Sequence, residues 1–151
     1  MMQMNVEGTR YVPTDEDNPQ LIGPAGAVHC SLASWARFAA AHLDASKGWL
    51  SPATIEYLHR PVSAEGVTPG KAIALGWGVT TGGEERLLTH DGSNGQNFAA
   101  IRLGPDWKGG VLVTVNAGDE RAVAAAREAT ALLLERLKKR HAQAKPSAST
   151  Q

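Results

Sequence analysis

The residues best suited to chemistry fall in one stretch, Leu87-Leu88-Thr89-His90-Asp91-Gly92-Ser93-Asn94-Gly95-Gln96-Asn97-Phe98. An imidazole there carries charge near neutral pH and can donate to an anion. Gly92 and Gly95 flank Ser93 and Asn94, which predicts a sharp turn beside His90, since glycine reaches backbone angles closed to other residues. A short apolar run leads into the stretch and another leads out. It therefore reads as the functional edge of a sheet, where rigid strands hold a reactive loop. The plainer reading is a hairpin corner with an exposed histidine.

Metal and thiol chemistry find little support. The five histidines are far apart, with no Cys or carboxylate at ligand spacing. No metal and no cofactor is expected. His59 reads as a charge partner for the end of a short helix. Cys30 is the only cysteine, so an intramolecular disulfide is excluded, and it reads as a small buried apolar residue.

The surrounding pieces come in a particular order: Gly23-Pro-Ala-Gly26, a helix opening at Ser31, Leu50-Ser-Pro52, Leu75-Gly-Trp-Gly78, His90-Asp-Gly92, a Val-rich strand, Asn116 and a long helix. In that order, over about residues 22 to 137, the chain resembles the C-terminal half of the serine β-lactamase and penicillin-binding family. The closest likeness is to its class C and D-Ala-D-Ala carboxypeptidase branch. The family carries a Lys-Thr-Gly or His-x-Gly triplet on a strand lining the active site. The resemblance implies that His90 faces a substrate carboxylate and that Gly92 lets substrate approach the backbone. It also implies that the Ser93 N–H corresponds to an oxyanion-hole donor. Asn116 either contacts a substrate carboxylate or caps the following turn. Asp91 stands where Thr is common and sets an acidic group beside the expected anion site.

The family's nucleophile is missing. It belongs to a Ser-x-x-Lys motif whose lysine helps to activate the hydroxyl. No serine of this chain has a lysine three residues later. Ser34-Trp-Ala-Arg37 comes nearest, but a guanidinium stays protonated and cannot serve as a base. Nor is there a Tyr-x-Asn or Ser-x-Asn for the second motif.

At 151 residues the chain makes one domain, long enough to bury about 68–70% of its unfolded surface. Its 42% hydrophobic and 20% charged residues are ordinary for a globular protein. Lys plus Arg equals Asp plus Glu at 15 each, so no overall field favours nucleic acid or an anionic membrane. Lys138, Lys139, Arg140 and Lys145 crowd the C-terminus, which suits a helix dipole. Met1 to Arg10 holds no apolar segment of the signal-peptide kind and no run approaches membrane-spanning length. Family members are often exported, and the sequence leaves localisation undetermined.

Along the chain, residues 1–21 read as an extended lead-in. A helix capped at Ser31 runs to about Leu43, with Leu32, Trp35, Ala36, Ala39, Ala40 and Leu43 on its apolar stripe. Ser51 and Pro52 open a second, short helix stopped by Pro61. One strand is expected over Ala74–Thr80, a hairpin turn at Gly82-Gly83, and a return strand from Arg86 to Thr89 that delivers His90. Phe98–Leu103 and Val111–Asn116 form the next hairpin. Asp119 caps a helix to about Lys139, with Val123, Ala126, Thr130, Leu133 and Leu137 facing the sheet. Residues 142–151 read as a disordered tail.

The expected fold is α+β: an antiparallel sheet of about three to five strands, a long C-terminal helix packed on it and two N-terminal helices, with 22–141 a partial β-lactamase or transpeptidase-like domain. Three functional readings stay open. The chain is the C-terminal part of a serine hydrolase with β-lactam, peptide or ester substrates, inactive alone; or a half that completes an active site with another chain; or a non-catalytic binding or structural module. Expected partners are a small-molecule or peptide substrate and a complementary chain or homodimer, with no nucleic acid and no membrane. Without Ser-x-x-Lys, incubation with a penicillin-type acylating probe leaves the intact mass unchanged. A stoichiometric adduct on any serine contradicts that expectation.

Overall fold

The structure, a computed structural model, describes residues 3–7, 10–62, 70–80 and 85–144. Its architecture follows from one strand, Phe98-Ala-Ala-Ile-Arg-Leu-Gly104, which has apolar side chains on both faces. Phe98 and Ala100 point one way, Ile101 and Leu103 the other, and all four are buried. A strand of this kind needs a covering layer on each side.

Strands are numbered in chain order: β1 (Gln3–Glu7), β2 (Arg10–Thr14), β3 (Lys71–Ile73), β4 (Gly78–Thr80), β5 (Leu88–Ser93), β6 (Phe98–Gly104) and β7 (Gly109–Val115). The helices are α1 (Gly23–Gly26), α2 (Leu32–Leu43), α3 (Pro52–His59) and α4 (Glu120–Ala144). β3 to β7 form a five-stranded antiparallel sheet in sequence order, and among the described residues β1 and β2 pair only with each other. The fold is thus α+β, with a long C-terminal helix lying on the sheet.

On one face Phe98, Ala100, Val113 and Val115 meet Val123 and Ala126 of α4. On the other, Ile101, Leu103, Leu88, Val79 and Trp77 meet Trp35, Ala39 and Leu43 of α2. The β6–β7 connection is closed by Trp107, whose indole covers Gly104 and Gly109. A methyl on either glycine would overlap the ring.

The caps are those the sequence predicts. The backbone N–H of Ser34 donates to Ser31 Oγ at 3.1 Å, that of Thr54 to Ser51 Oγ at 3.1 Å, and that of Arg121 to Asp119 Oδ1 at 3.0 Å.

The extended lead-in holds the β1–β2 hairpin, with Val6 opposite Tyr11 and Asn5 opposite Val12. Several expectations need correction. The single strand over Ala74–Thr80 is broken by a turn. Gly76 takes φ +78°, and the Ala74 N–H donates to the Trp77 carbonyl at 2.7 Å. Leu75 is consequently exposed while Trp77 and Val79 are buried. The turn at Gly82-Gly83 lies outside the described residues. α4 continues to Ala144, past both Lys139 and the start of the expected disordered tail, because Ala142 and Ala144 favour the helix. Residues 145–151 lie outside the described residues. On α4, Ala126 and Thr130 are buried but Leu133 is exposed, and Cys30 is exposed too.

His59 is the largest departure. It does not face solvent at a helix end: it is 1% exposed, and His42 of α2 is 3% exposed beside it. His42 Nδ1 and His59 Nε2 are 2.8 Å apart, and the edge of Trp77 closes the pair. One ring donates and the other accepts in that single bond, and the other ring nitrogen of His59, Nδ1, is buried without a hydrogen-bond partner among the described residues. Burial lowers the His42 pKa; burial, then the charges of His42 and Arg86, push that of His59 down to about 4.

The unfolded chain binds a proton at His59 near the ordinary value of 6.5, whereas the folded chain does so only near 4. Stability therefore falls as pH drops from about 6.5 towards 4 and levels off below, a loss on the order of 3 kcal/mol. The carboxylates whose pKa values are lowered, Asp17, Asp44, Asp119 and Glu135, lose their contribution only from about pH 5 downwards, so the fall between about pH 6.5 and 5 belongs to the histidines. Urea midpoints measured between pH 7 and 4.5 should decline, and a flat profile excludes the buried neutral pair.

Candidate functional site

β5 is longer than its neighbour β4. The β4 pairing covers only Val79↔Leu88 and Gly78↔Thr89. From His90 to Ser93, β5 is paired among the described residues by β6 alone, with His90 opposite Ile101 and Ser93 opposite Phe98. The expected turn at His90 is thus displaced. The strand runs through the His90-Asp91-Gly92 triplet, and the chain reverses at Asn94–Asn97. There Gly95 takes φ +86°, and Asn94 Oδ1 accepts from the N–H groups of Gln96 at 3.1 Å and Asn97 at 2.7 Å. Gly92 needs no left-handed conformation. It is exposed, with open space where a side chain would stand.

Placing the triplet in a strand sends His90 and Asp91 to opposite faces. His90 is exposed, and its Nδ1 lies 2.8 Å from the Gly76 carbonyl oxygen in the β3–β4 turn. A carbonyl only accepts, so Nδ1 carries the hydrogen. Nε2 is left as the atom for a ligand, an acceptor on the neutral ring and a donor on the charged one.

Asp91 faces α4. Its Oδ1 accepts from Arg102 Nη1 at 2.6 Å, and its Oδ2 lies 3.6 Å from Arg127 Nε. The Arg127 guanidinium also stacks over the Phe98 ring, 5.6 Å from its centre. Asp91 therefore ties β5 and β6 to α4 and is not beside an anion on the His90 side.

The other expected site residues are placed as follows. The Ser93 hydroxyl donates to the Asn97 carbonyl at 2.7 Å and accepts from the Gly95 N–H at 3.1 Å, so it is occupied in the turn. Asn116 is exposed just beyond Val115, and Val115, Phe98 and Ser93 form one cross-strand row. Asn116 lies two strand spacings from β5, about 10 Å. The cap of the following turn is Asp119, not Asn116. At this strand end His90 and Gly92 thus share one face, Asp91 and Ser93 the other, and Asn116 lies apart.

The lead-in folds back to this end of the sheet, an alternative the sequence leaves open for residues 1–20. Asn94 Nδ2 donates to Asp17 Oδ1 at 2.9 Å, Gln96 Nε2 to Glu16 Oε2 at 3.3 Å, and His29 Nε2 lies 2.8 Å from Asp17 Oδ2. Hydrogen bonds from Asn94, from the Asn18 backbone and from His29 hold the Asp17 carboxyl below its usual range. The available signal was the acidic run Asp15-Glu16-Asp17 facing a turn rich in amide donors. From behind, Gly118 packs against the Gly95 carbonyl so closely that a methyl would overlap it.

These groups can bind an anion and align an extended backbone. They do not assemble an activated nucleophile: Ser34 Oγ accepts from Arg37 Nη2 at 3.0 Å, and a guanidinium cannot take its proton. Among the described residues no three His, Cys, Asp or Glu side chains converge on a metal-sized site. Comparison with protein-family models, curated proteins and solved structures finds no match to this chain.

The two halves of the His-Asp pair should separate in mutagenesis. His90→Ala removes one exposed hydrogen bond and should cost no more than about 1 kcal/mol. Asp91→Ala removes the part-buried ion pair with Arg102, which keeps its bonds to the Ile101 and His90 carbonyls, and should cost about 1–2 kcal/mol. Denaturant unfolding of both variants checks the order, and the reverse order would make His90 the structural residue.

Proposed function

We propose that this chain supplies the substrate-facing strand of a β-lactamase-related serine hydrolase, with β-lactam, peptide or ester substrates, and does not hydrolyse them alone. The observation that carries this reading is the overhang of β5. Among the described residues no strand pairs its last four residues on one side, and they bring His90, Gly92 and Ser93 to the surface in extended form. A substrate backbone can lie along that side as an added strand, using main-chain hydrogen bonds. His90, held by Gly76, donates to the substrate carboxylate through the Nε2–H of its charged ring, and bare Gly92 allows close approach. Asp91, turned to the other face, does not repel that anion. The serine and its lysine come from another polypeptide segment, since this sequence has no Ser-x-x-Lys.

Titration with a penicillin-type carboxylate, followed by amide and imidazole NMR, tests the reading. Shifts should concentrate at His90, Gly92 and Ser93, without covalent adduct, and His90→Ala should weaken the response at least threefold. Absence of any response at millimolar ligand defeats the proposal.

A further inference from the structure

β7 closes one side of the five-stranded sheet, and among the described residues β6 is its only strand partner. Gly109-Gly-Val-Leu-Val-Thr-Val115 contains neither a charge nor a proline, two usual means of keeping an edge from pairing. The opposite edge is protected: β3 is three residues long, opens on Lys71 and is bridged by Val62.

α4 lies across β6 and β7 and runs antiparallel to β7, with Val123 near Val113 and Val115 and Leu137 beside Gly109. Its C-terminal half walls a groove of about 550 Å³ over Gly110, Val111 and Leu112, with exposed Leu133 on the rim. Helical periodicity puts Ala122 and Ala129 on the same flank as Leu133, with Arg136 and Arg140 towards its end.

We propose that the β7 edge and this flank of α4 form an interface with a second copy of the chain. β7 pairs antiparallel with β7 about a two-fold axis near Leu112, joining two five-stranded sheets into one of ten strands. The spacing fits. Neighbouring strands are about 4.8 Å apart, so a helix above the β6–β7 boundary lies roughly 5 Å from that axis. Its mate is then about 10 Å away, the distance between packed helices. Ala129, near the helix midpoint, permits the approach. Across the axis Val111 meets Val113 and Gly110 meets Thr114, so no charges face each other. Arg136 and Arg140 of the two copies go to opposite ends of the helix pair. A lone foreign strand would satisfy the edge but leave the helix flank bare, whereas a second copy covers both with self-complementary surface. The inference is independent of the hydrolase reading, because β7 and the β5 overhang lie on opposite sides of β6.

Sedimentation velocity from about 1 to 200 µM tests it on the full chain, with Ala129→Glu, Ala129→Lys and Thr114→Lys as variants and far-UV circular dichroism as the control for folding. The native chain should dimerise, and each variant should weaken the dimer at least tenfold. An equimolar mixture of the two Ala129 variants should recover it through opposite charges at the axis. A monomer throughout that range overturns the proposal. So does a dimer indifferent to all three substitutions, which places the contact elsewhere.

Discussion

Everything in this molecule depends on β6 being buried on both faces. A strand with Phe98 and Ala100 on one side and Ile101 and Leu103 on the other cannot lie at a surface. Removing that much apolar area from water contributes on the order of several kcal/mol. That demand recruits α4 to one face and α2 to the other, and it fixes the register of β5 and β7. A slip of one residue would exchange the two core sets. The direction of His90 is a by-product. Because Leu88 must meet the α2 layer, His90, two residues on, emerges on that same face and Asp91 on the other.

Polar groups inside the two layers obey the same economy. His42 and His59 share one hydrogen bond under the edge of Trp77, while His59 Nδ1 is left without a partner among the described residues. Thr130 is buried in the α4 layer because its hydroxyl returns to the Ala126 carbonyl at 2.7 Å. The half-buried Asp91 is matched by Arg102 and Arg127. In each case the partner comes from a segment that was not adjacent in sequence or was adjacent only through the helix repeat.

That distinction sets how much of the molecule was legible in the sequence. The caps at Ser31, Ser51 and Asp119, the β6–β7 hairpin and the long last helix are local features written in neighbouring residues. The neutral role of His59 was not, since its partner is 17 residues away on another helix. Gly76 and Gly92 were misjudged for one reason: a glycine permits a turn without requiring it. The first turns the chain where a continuous strand was expected, and the second lies extended where a turn was expected. Of the candidate site, the strand end with His90, Gly92 and Ser93 could be read from the triplet. The departure of Asp91 to the opposite face depends on strand continuing through it, which the polar composition disguised.

The hydrogen bonds of the lead-in have a consequence for the order of folding. Tyr11 reaches Asp119 across 108 residues and Asn94 reaches Asp17 across 77, whereas β3 to β7 form a meander of short connections. Closing a longer loop costs more chain entropy, about 0.6 kcal/mol for each doubling, and a single polar contact barely offsets it. The meander and α4 can therefore form from nearby pairings before the N-terminal segment is engaged. That segment latches onto a finished sheet end, and it is the first part to leave when the chain begins to open.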